Sequence, residues 1–71
     1  MSVDAAQALV AGALGRDGVA PTDGIATLAE WDSLGHMHIV LAIEAARGQQ
    51  LSPEQIVSIG TVSDVAACLD E

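Results

Sequence analysis

The chain has 71 residues, enough for a single domain, and half of them are hydrophobic, so we expect a folded domain. Ten acidic residues stand against two arginines and no lysine, which gives a formal net charge of −8. This balance excludes nucleic-acid binding through backbone phosphates and predicts repulsion from anionic membranes, so a basic protein surface is the expected partner.

The N-terminal segment has no basic region, and no apolar run approaches the length of a membrane span. Cys68 is the only cysteine, so no internal disulfide can form. We therefore expect a cytoplasmic domain. It has no Phe and no Tyr, and Trp31 is its only aromatic residue, so the core must be aliphatic.

The first predicted helix spans residues 2 to 14, where apolar side chains recur at the spacing of one helix face. Ser2 or Asp4 can cap its start, and Gly15 ends it. A connection over residues 16 to 32 follows, and loops of this length are usually functional or contain a short element.

Within that connection, Ile25, Leu28 and Trp31 recur every three residues. We expect the loop to lie across the core with all three side chains buried.

The second predicted helix runs from Ser33 to about Arg47, with Gly48 as the residue just beyond its end. An ordinary surface helix has one apolar stripe, and this one has two. One comprises Ile39, Val40, Ile43 and Ala46, and the other comprises Leu34, Met37, Leu41 and Ala45. A chain this short cannot easily bury both, so we favour a surface left for a partner over complete burial.

Two more helices complete the chain. Ser52, Pro53 and Gln55 form a capping-box start, which predicts a short helix over about 53 to 58 that buries Ile56, with Val57 as a second candidate for burial. A second cap signal precedes a last helix from about Val62 to Leu69. The prediction is one all-α domain over residues 1–71, a four-helix bundle of three longer helices and one short helix.

Ser33 has two interpretations. Serine before an apolar helix is usually an N-cap, although His36 stands where a capping box needs Glu or Gln. Asp32 could cap instead, which would free the Ser33 hydroxyl for a modification. A phosphate there would be favoured by the helix N-terminus. On the residue types alone we favour the cap.

The surroundings of Ser33 change this balance. Asp32-Ser33-Leu34 opens the second helix after a long loop, in an acidic all-helical chain, and this layout resembles the acyl carrier protein family. The apolar spacing that follows and the tail LSPEQIVSIGTVSDVAACL over residues 51–69 resemble it too. The resemblance covers essentially the whole chain, and the position of the tripeptide in the layout is more specific than the tripeptide itself.

The resemblance implies a covalent shuttle. Ser33 would accept 4′-phosphopantetheine from coenzyme A, transferred by a separate phosphopantetheinyl transferase that uses a divalent metal. The terminal thiol would then carry acyl or aminoacyl groups as thioesters between enzymes that load, condense or transfer them. The carrier itself would catalyse nothing.

The resemblance also implies which residues contact partners. Asp32 and Leu34 match flanking positions that the transferase and other partners read. The partner-facing side of the second helix matches at Met37, His38, Leu41 and Glu44. Positions that match the family core, which in some members shelters an acyl chain, are Ile39, Ile43, Ile56 and Ile59.

The chain departs from the family pattern in two ways. Family members commonly place acids along the second helix, where this chain has Gly35, His38 and Ala45 and keeps only Glu44. We therefore expect docking with a larger apolar share. Arg47 stands where the family often has Phe, and we expect its stem to cover the core while its charge stays in water.

Other candidate sites in the sequence have simpler interpretations. His36 and His38 lie on different helix faces with no third ligand at suitable spacing, so we expect no metal site and histidines that face solvent or a partner. No nucleophile elbow surrounds Ser33, which argues against a hydrolase. Cys68 is most simply a small core residue.

The sequence thus predicts a free-standing, monomeric acyl carrier protein and not an enzyme. The weakly acidic second helix favours a specialised pathway, such as polyketide or lipopeptide synthesis. Three alternatives remain: an unmodified helical interaction module, a carrier domain excised from a multi-domain synthase, and a carrier for primary fatty acid synthesis.

Overall fold

The computed structural model describes residues 3–70, and this part of the chain contains four helices. They are α1 (Val3–Leu14), α2 (Ser33–Arg47), α3 (Pro53–Ser58) and α4 (Val62–Leu69). The predicted all-α class is confirmed, and the bounds of the last three helices agree with the prediction. The expected cap at Ser2 lies outside the described residues.

The core at the centre of the bundle is aliphatic apart from Trp31, and its residues come from the helices, the long loop and the segments on either side of α3. α1, α2 and α4 pack against one another, whereas α3 contributes no fully buried side chain. The largest fully buried side chains are Val10, Ile39, Val40, Ile43, Ile59, Val62 and Val65. Cys68 is also buried, as predicted.

The helix ends follow from local capping groups. Gly48 adopts the left-handed conformation, with φ of 74°, and its amide donates to the carbonyl of Glu44, so the predicted end of α2 is confirmed. Ser52 and Gln55 form the predicted capping box of α3, and Thr61 and Asp64 form another at α4. These caps explain how two helices of only six and eight residues begin at defined positions.

The long loop is fastened to the start of α4 by backbone hydrogen bonds. The amide of Ile25 donates to the carbonyl of Gly60 at 3.0 Å, and the amide of Val62 donates to the carbonyl of Asp23 at 2.9 Å. Gly24 lies between them in an isolated antiparallel bridge with Thr61. A side chain at Gly24 would collide with the carbonyl of Gly60, so glycine is required for this close approach.

The loop also carries the first correction. Leu28 and Trp31 are buried as expected, but Ile25 is 54% exposed, so its predicted burial is wrong. Gly24 is buried at its bridge with Thr61, and a turn over residues 25 to 27, closed by the amide of Leu28 on the carbonyl of Gly24, leaves Ile25 on the outside.

Val57, the second candidate for burial in α3, is 85% exposed and lies outside the core. A helix of six residues turns one narrow face inward, and in α3 Ile56 occupies that face and is half-buried. Arg47 is half-buried as well, and Nε and Nη1 of its guanidinium are out of contact with solvent, so the expectation that its charge stays in water is wrong for these two atoms.

Candidate functional site

Ser33 is the first residue of α2, and it does not cap the helix. Asp32 is the N-cap, and its carboxylate accepts the amide proton of Gly35 at 2.9 Å. The backbone carbonyl of Asp32 accepts the amide of His36 at 2.8 Å. The interpretation of Ser33 as the cap, which the residue types alone favoured, is therefore wrong. The side chain of Ser33 is exposed and takes no part in capping the helix.

The other described serines differ from Ser33 because their hydroxyls are engaged. Ser52 accepts the amide proton of Gln55, Ser58 donates to the carbonyl of Gln55, and Ser63 donates to the carbonyl of Pro21. The hydroxyl of Ser33 has no hydrogen-bond partner within residues 3–70. Among the serines that the structure describes, it is the one whose side chain is exposed and whose hydroxyl makes no hydrogen bond.

A groove of about 610 Å³ opens beside Ser33, and we call it the Ser33 groove. Its walls come from the end of the loop, the first turns of α2 and the end of α3. The residues that line it are Ile25, Trp31, Asp32, Ser33, His36, Met37, Val57 and Ile59. The outward positions of Ile25 and Val57, which the sequence patterns did not predict, supply part of this apolar lining.

His36 lies at the base of the groove and bonds in two directions. The indole N–H of Trp31 donates to His36 Nδ1 at 2.9 Å, and His36 Nε2 is 2.8 Å from the carbonyl oxygen of Ile56. The two rings also stack, with centroids 6.3 Å apart. The expectation that His36 faces solvent or a partner is therefore wrong, because both ring nitrogens are hydrogen-bonded within the protein, Nε2 to a carbonyl 20 residues away in sequence.

The second apolar stripe of α2 lies at the surface, as expected. Leu34 is 66% exposed, Met37 47% and Leu41 58%, and Ala45 is exposed beside them. We call these four residues the apolar face of α2. His38 is exposed next to this face, so the predicted partner-contacting residues other than Glu44 lie on the accessible side of the helix or at its start.

Glu44 is half-buried, and its carboxylate has a structural task. One of its oxygens accepts the amide proton of Leu51 at 2.9 Å and thereby ties the end of α2 to the segment that leads into α3. The one acidic side chain within α2 is thus directed at the protein's own backbone. Docking at Glu44 stays a prediction, and the exposed surface of this helix is mainly apolar.

Two carboxylates in the loop before α2 have pKa values below the usual range. The pKa of Asp23 is lowered first by the hydrogen bond from the amide of Ala20 and then by the hydroxyl of Thr27. The pKa of Glu30 is lowered by its own backbone amide and by Arg16, whose guanidinium lies 2.9 Å from the carboxylate. Both groups stay ionised and brace the loop that leads to Ser33.

Residues 3–70 contain no group of three or more side chains suited to hold a metal ion. None of the helices in this range combines the length and the hydrophobicity that a membrane span needs.

The site around Ser33 thus consists of an exposed hydroxyl at a helix N-terminus beside an apolar groove. Asp32 engages the amides of Gly35 and His36, so a phosphate on this hydroxyl would meet the remaining amides of the first turn and the positive end of the dipole. A phosphate-linked group with an apolar extension fits this arrangement.

Comparison with known proteins gives one match. The model of the family described as "Phosphopantetheine attachment site" matches residues 4–69. No curated protein and no solved structure matches the chain.

Proposed function

Because the chain belongs to the phosphopantetheine attachment site family, whose members carry covalent 4′-phosphopantetheine, we propose that Ser33 is the attachment residue. The observation that carries this proposal is the exposed, uncommitted hydroxyl of Ser33, which exists because Asp32 caps α2. Domains of this family are carriers and not catalysts, so the proposed function is to hold acyl or aminoacyl groups and present them to enzymes.

Attachment needs a nucleophile that a transferase can reach. In the proposed step, Ser33 Oγ bonds to the phosphorus that bears the pantetheine of coenzyme A. The diphosphate bond breaks, adenosine 3′,5′-bisphosphate leaves, and the hydroxyl proton passes to a base on the transferase. The positive end of the α2 dipole, and the first-turn amides that Asp32 does not engage, stabilise the resulting phosphodiester. The attached arm supplies a terminal thiol that carries cargo as a thioester.

The apolar face of α2 is the proposed docking surface for these enzymes. Leu34, Met37 and Leu41 are exposed, while the Glu44 carboxylate bonds to the amide of Leu51. Burial of apolar area would therefore contribute more to docking than ion pairing along this helix does. We infer a carrier for a specialised pathway, such as polyketide or lipopeptide synthesis, in preference to primary fatty acid synthesis.

An intact mass spectrum tests the attachment. The chain is incubated with a promiscuous phosphopantetheinyl transferase, coenzyme A and magnesium, beside Ser33→Ala and the matched control Ser63→Ala. The parent and Ser63→Ala should each gain one phosphopantetheinyl group, and Ser33→Ala should gain none. Because the Ser33 hydroxyl makes no described hydrogen bond, its removal should change the free energy of unfolding by less than about 1 kcal/mol.

A gain of mass in Ser33→Ala would assign the attachment to another residue. If no variant were modified by several transferases, the chain would be an unmodified interaction module. An intact mass of the protein taken from its native cell would show in the same measurement whether it occurs as a free-standing carrier.

A second experiment tests the docking surface and the pathway. The modified carrier is offered to loading enzymes from several pathways at low and high salt, with Leu41→Ala beside the parent. Apolar docking predicts a weak salt dependence and a clear loss of loading rate in Leu41→Ala. Efficient loading by primary fatty acid synthesis enzymes alone would contradict the specialised-pathway proposal, and a steep loss with salt would contradict apolar docking.

A further inference from the structure

The hydrogen bonds of His36 determine where its proton lies. An indole N–H can only donate, so Nδ1 of His36 must accept from Trp31 and carries no proton. A carbonyl oxygen can only accept, so Nε2 must carry the proton and donate it to the carbonyl of Ile56. Both contacts are satisfied together only by the neutral ring with its proton on Nε2.

This ring joins two walls of the Ser33 groove at the level of the first turns of α2. Trp31 belongs to the wall formed by the loop, and Val57 belongs to the wall formed by α3. α3 has six residues, none of them fully buried, and its inward contact is made by the half-buried Ile56. The amide of Leu51, just before α3, is bonded to the carboxylate of Glu44, whereas the bond from His36 reaches the backbone of α3 itself.

We propose that His36 is a positioning residue: its neutral imidazole links Trp31 to α3 across the base of the Ser33 groove, and a second proton on the ring breaks the link to Trp31. Protonation would place an N–H on Nδ1 directly against the indole N–H. Two donors cannot share one hydrogen bond, so the indole must turn away. The importance of this link for carrier function rests on the proposed attachment at Ser33, which borders the same groove.

The charges near His36 are few in each element that contacts it. From the start of its own helix, Asp32 lines the groove, but its carboxylate accepts from the amide of Gly35. α3 presents the carbonyl of Ile56, while its acidic residue Glu54 lines a separate depression with Val57. The loop presents the uncharged indole of Trp31. The groups that contact the imidazole directly are thus uncharged, and Asp32 is the charged residue that lines the groove with it.

Nuclear magnetic resonance on the unmodified chain provides the test, since a single tryptophan gives a single indole N–H signal. When pH is lowered through the range in which imidazoles titrate, the signal should move in the parent. It should move equally in His38→Gln, which removes the exposed histidine on the same helix. It should stay fixed in His36→Asn and His36→Gln.

The two His36 variants also separate the two bonds. Asparagine offers an acceptor near the position of Nδ1, and glutamine offers a donor near that of Nε2. The amide of Ile56, which donates to the carbonyl of Ser52 within α3, should exchange with solvent roughly fivefold faster in His36→Asn, the scale of one net hydrogen bond. In His36→Gln the exchange rate should stay near that of the parent.

The proposal would be overturned if the chemical shift of the indole N–H did not change with pH in the parent, or if it changed equally in His36→Gln. So would an exchange rate at Ile56 that changes less than twofold in His36→Asn. The parent and His38→Gln leave the groove intact, so the titration is decisive even if a His36 variant folds poorly. All of these experiments use the unmodified protein, so their results do not depend on whether Ser33 carries phosphopantetheine.

Discussion

Two adjacent polar residues at the first turn of α2 have separate tasks. Asp32 satisfies the amide of Gly35 and so starts the helix, while the hydroxyl of Ser33 remains exposed. If serine were the cap, its oxygen would be held by a backbone amide and would be a poorer nucleophile. The division of tasks allows a residue at a helix start to be modified without loss of the helix.

Asp32→Ala should lower the free energy of unfolding by about 1 kcal/mol, because the amide of Gly35 loses its acceptor. The matched control is Asp32→Asn, which keeps a capping oxygen and should stay close to the parent. Denaturant unfolding followed by circular dichroism measures both. Equal losses in the two variants would show that the charge of Asp32 matters and the cap does not.

Gly35 is required by a close backbone approach. A Cβ at this position would collide with the carbonyl oxygen of Glu30 and lie 2.9 Å from Cδ2 of Leu14. This contact gives a physical reason why this chain has glycine where related carriers commonly place an acid. The end of the loop can approach α2 closely only if this position has no side chain.

Gly35→Ala should therefore destabilise the protein by about 1–3 kcal/mol, despite the higher helix propensity of alanine. Gly12→Ala is the matched control, since a Cβ at Gly12 in α1 meets nothing within 4 Å and should stabilise by about 0.5–1 kcal/mol. Thermal or denaturant midpoints of the two variants should move in opposite directions. A shift of both in the same direction would refute the steric argument.

At the scale of the helix, the two apolar stripes of α2 have different roles: the buried one stabilises the fold, and the exposed one is the proposed docking surface. Ile43 is fully buried, so Ile43→Ala should lower the free energy of unfolding by about 2–5 kcal/mol. Leu41 lies on the apolar face and is 58% exposed, so Leu41→Ala should cost less than about 1 kcal/mol. Comparison of the two denaturation midpoints tests this division, and similar losses would place Leu41 in the core.

The loop before α2 should respond to acid through Asp23. The hydrogen bonds from Ala20 and Thr27 lower the pKa of this carboxyl below its usual value. A lowered pKa means that the stabilisation is fully present above the carboxyl range and is lost as pH falls through the lowered pKa. Asp23→Asn should flatten this acid-side decline in a series of denaturation midpoints against pH, and an unchanged slope would exclude Asp23 as its source.

For the molecule as a whole, the sequence was sufficient to predict the four helices and the exposed second stripe of α2. Caps such as Gly48 and the Ser52–Gln55 pair are local signals, so their geometry can be inferred from neighbouring residues. The outward turn of Ile25 could not be inferred, because it depends on a bridge from Gly24 to Thr61, a residue far along the chain.

The site was only partly predictable, because it too depends on contacts between residues that are far apart in the sequence. Ser33 and Asp32 are both good capping residues, and only the backbone geometry decides which of them caps the helix. The bond from His36 to the carbonyl of Ile56 joins residues 20 positions apart, and no periodic pattern records such a contact. The groove beside Ser33 exists because of these non-local contacts.

The core without Phe or Tyr makes the protein a single-fluorophore system. All of its near-ultraviolet absorbance and emission above that of the backbone comes from Trp31, which is buried two positions before Ser33 and lines the groove beside it. A change at the groove would alter the emission of this one indole without signals from other aromatic residues. Loading and unloading of the carrier could thus be followed in real time by stopped-flow optics, with no label and no substitution in the chain.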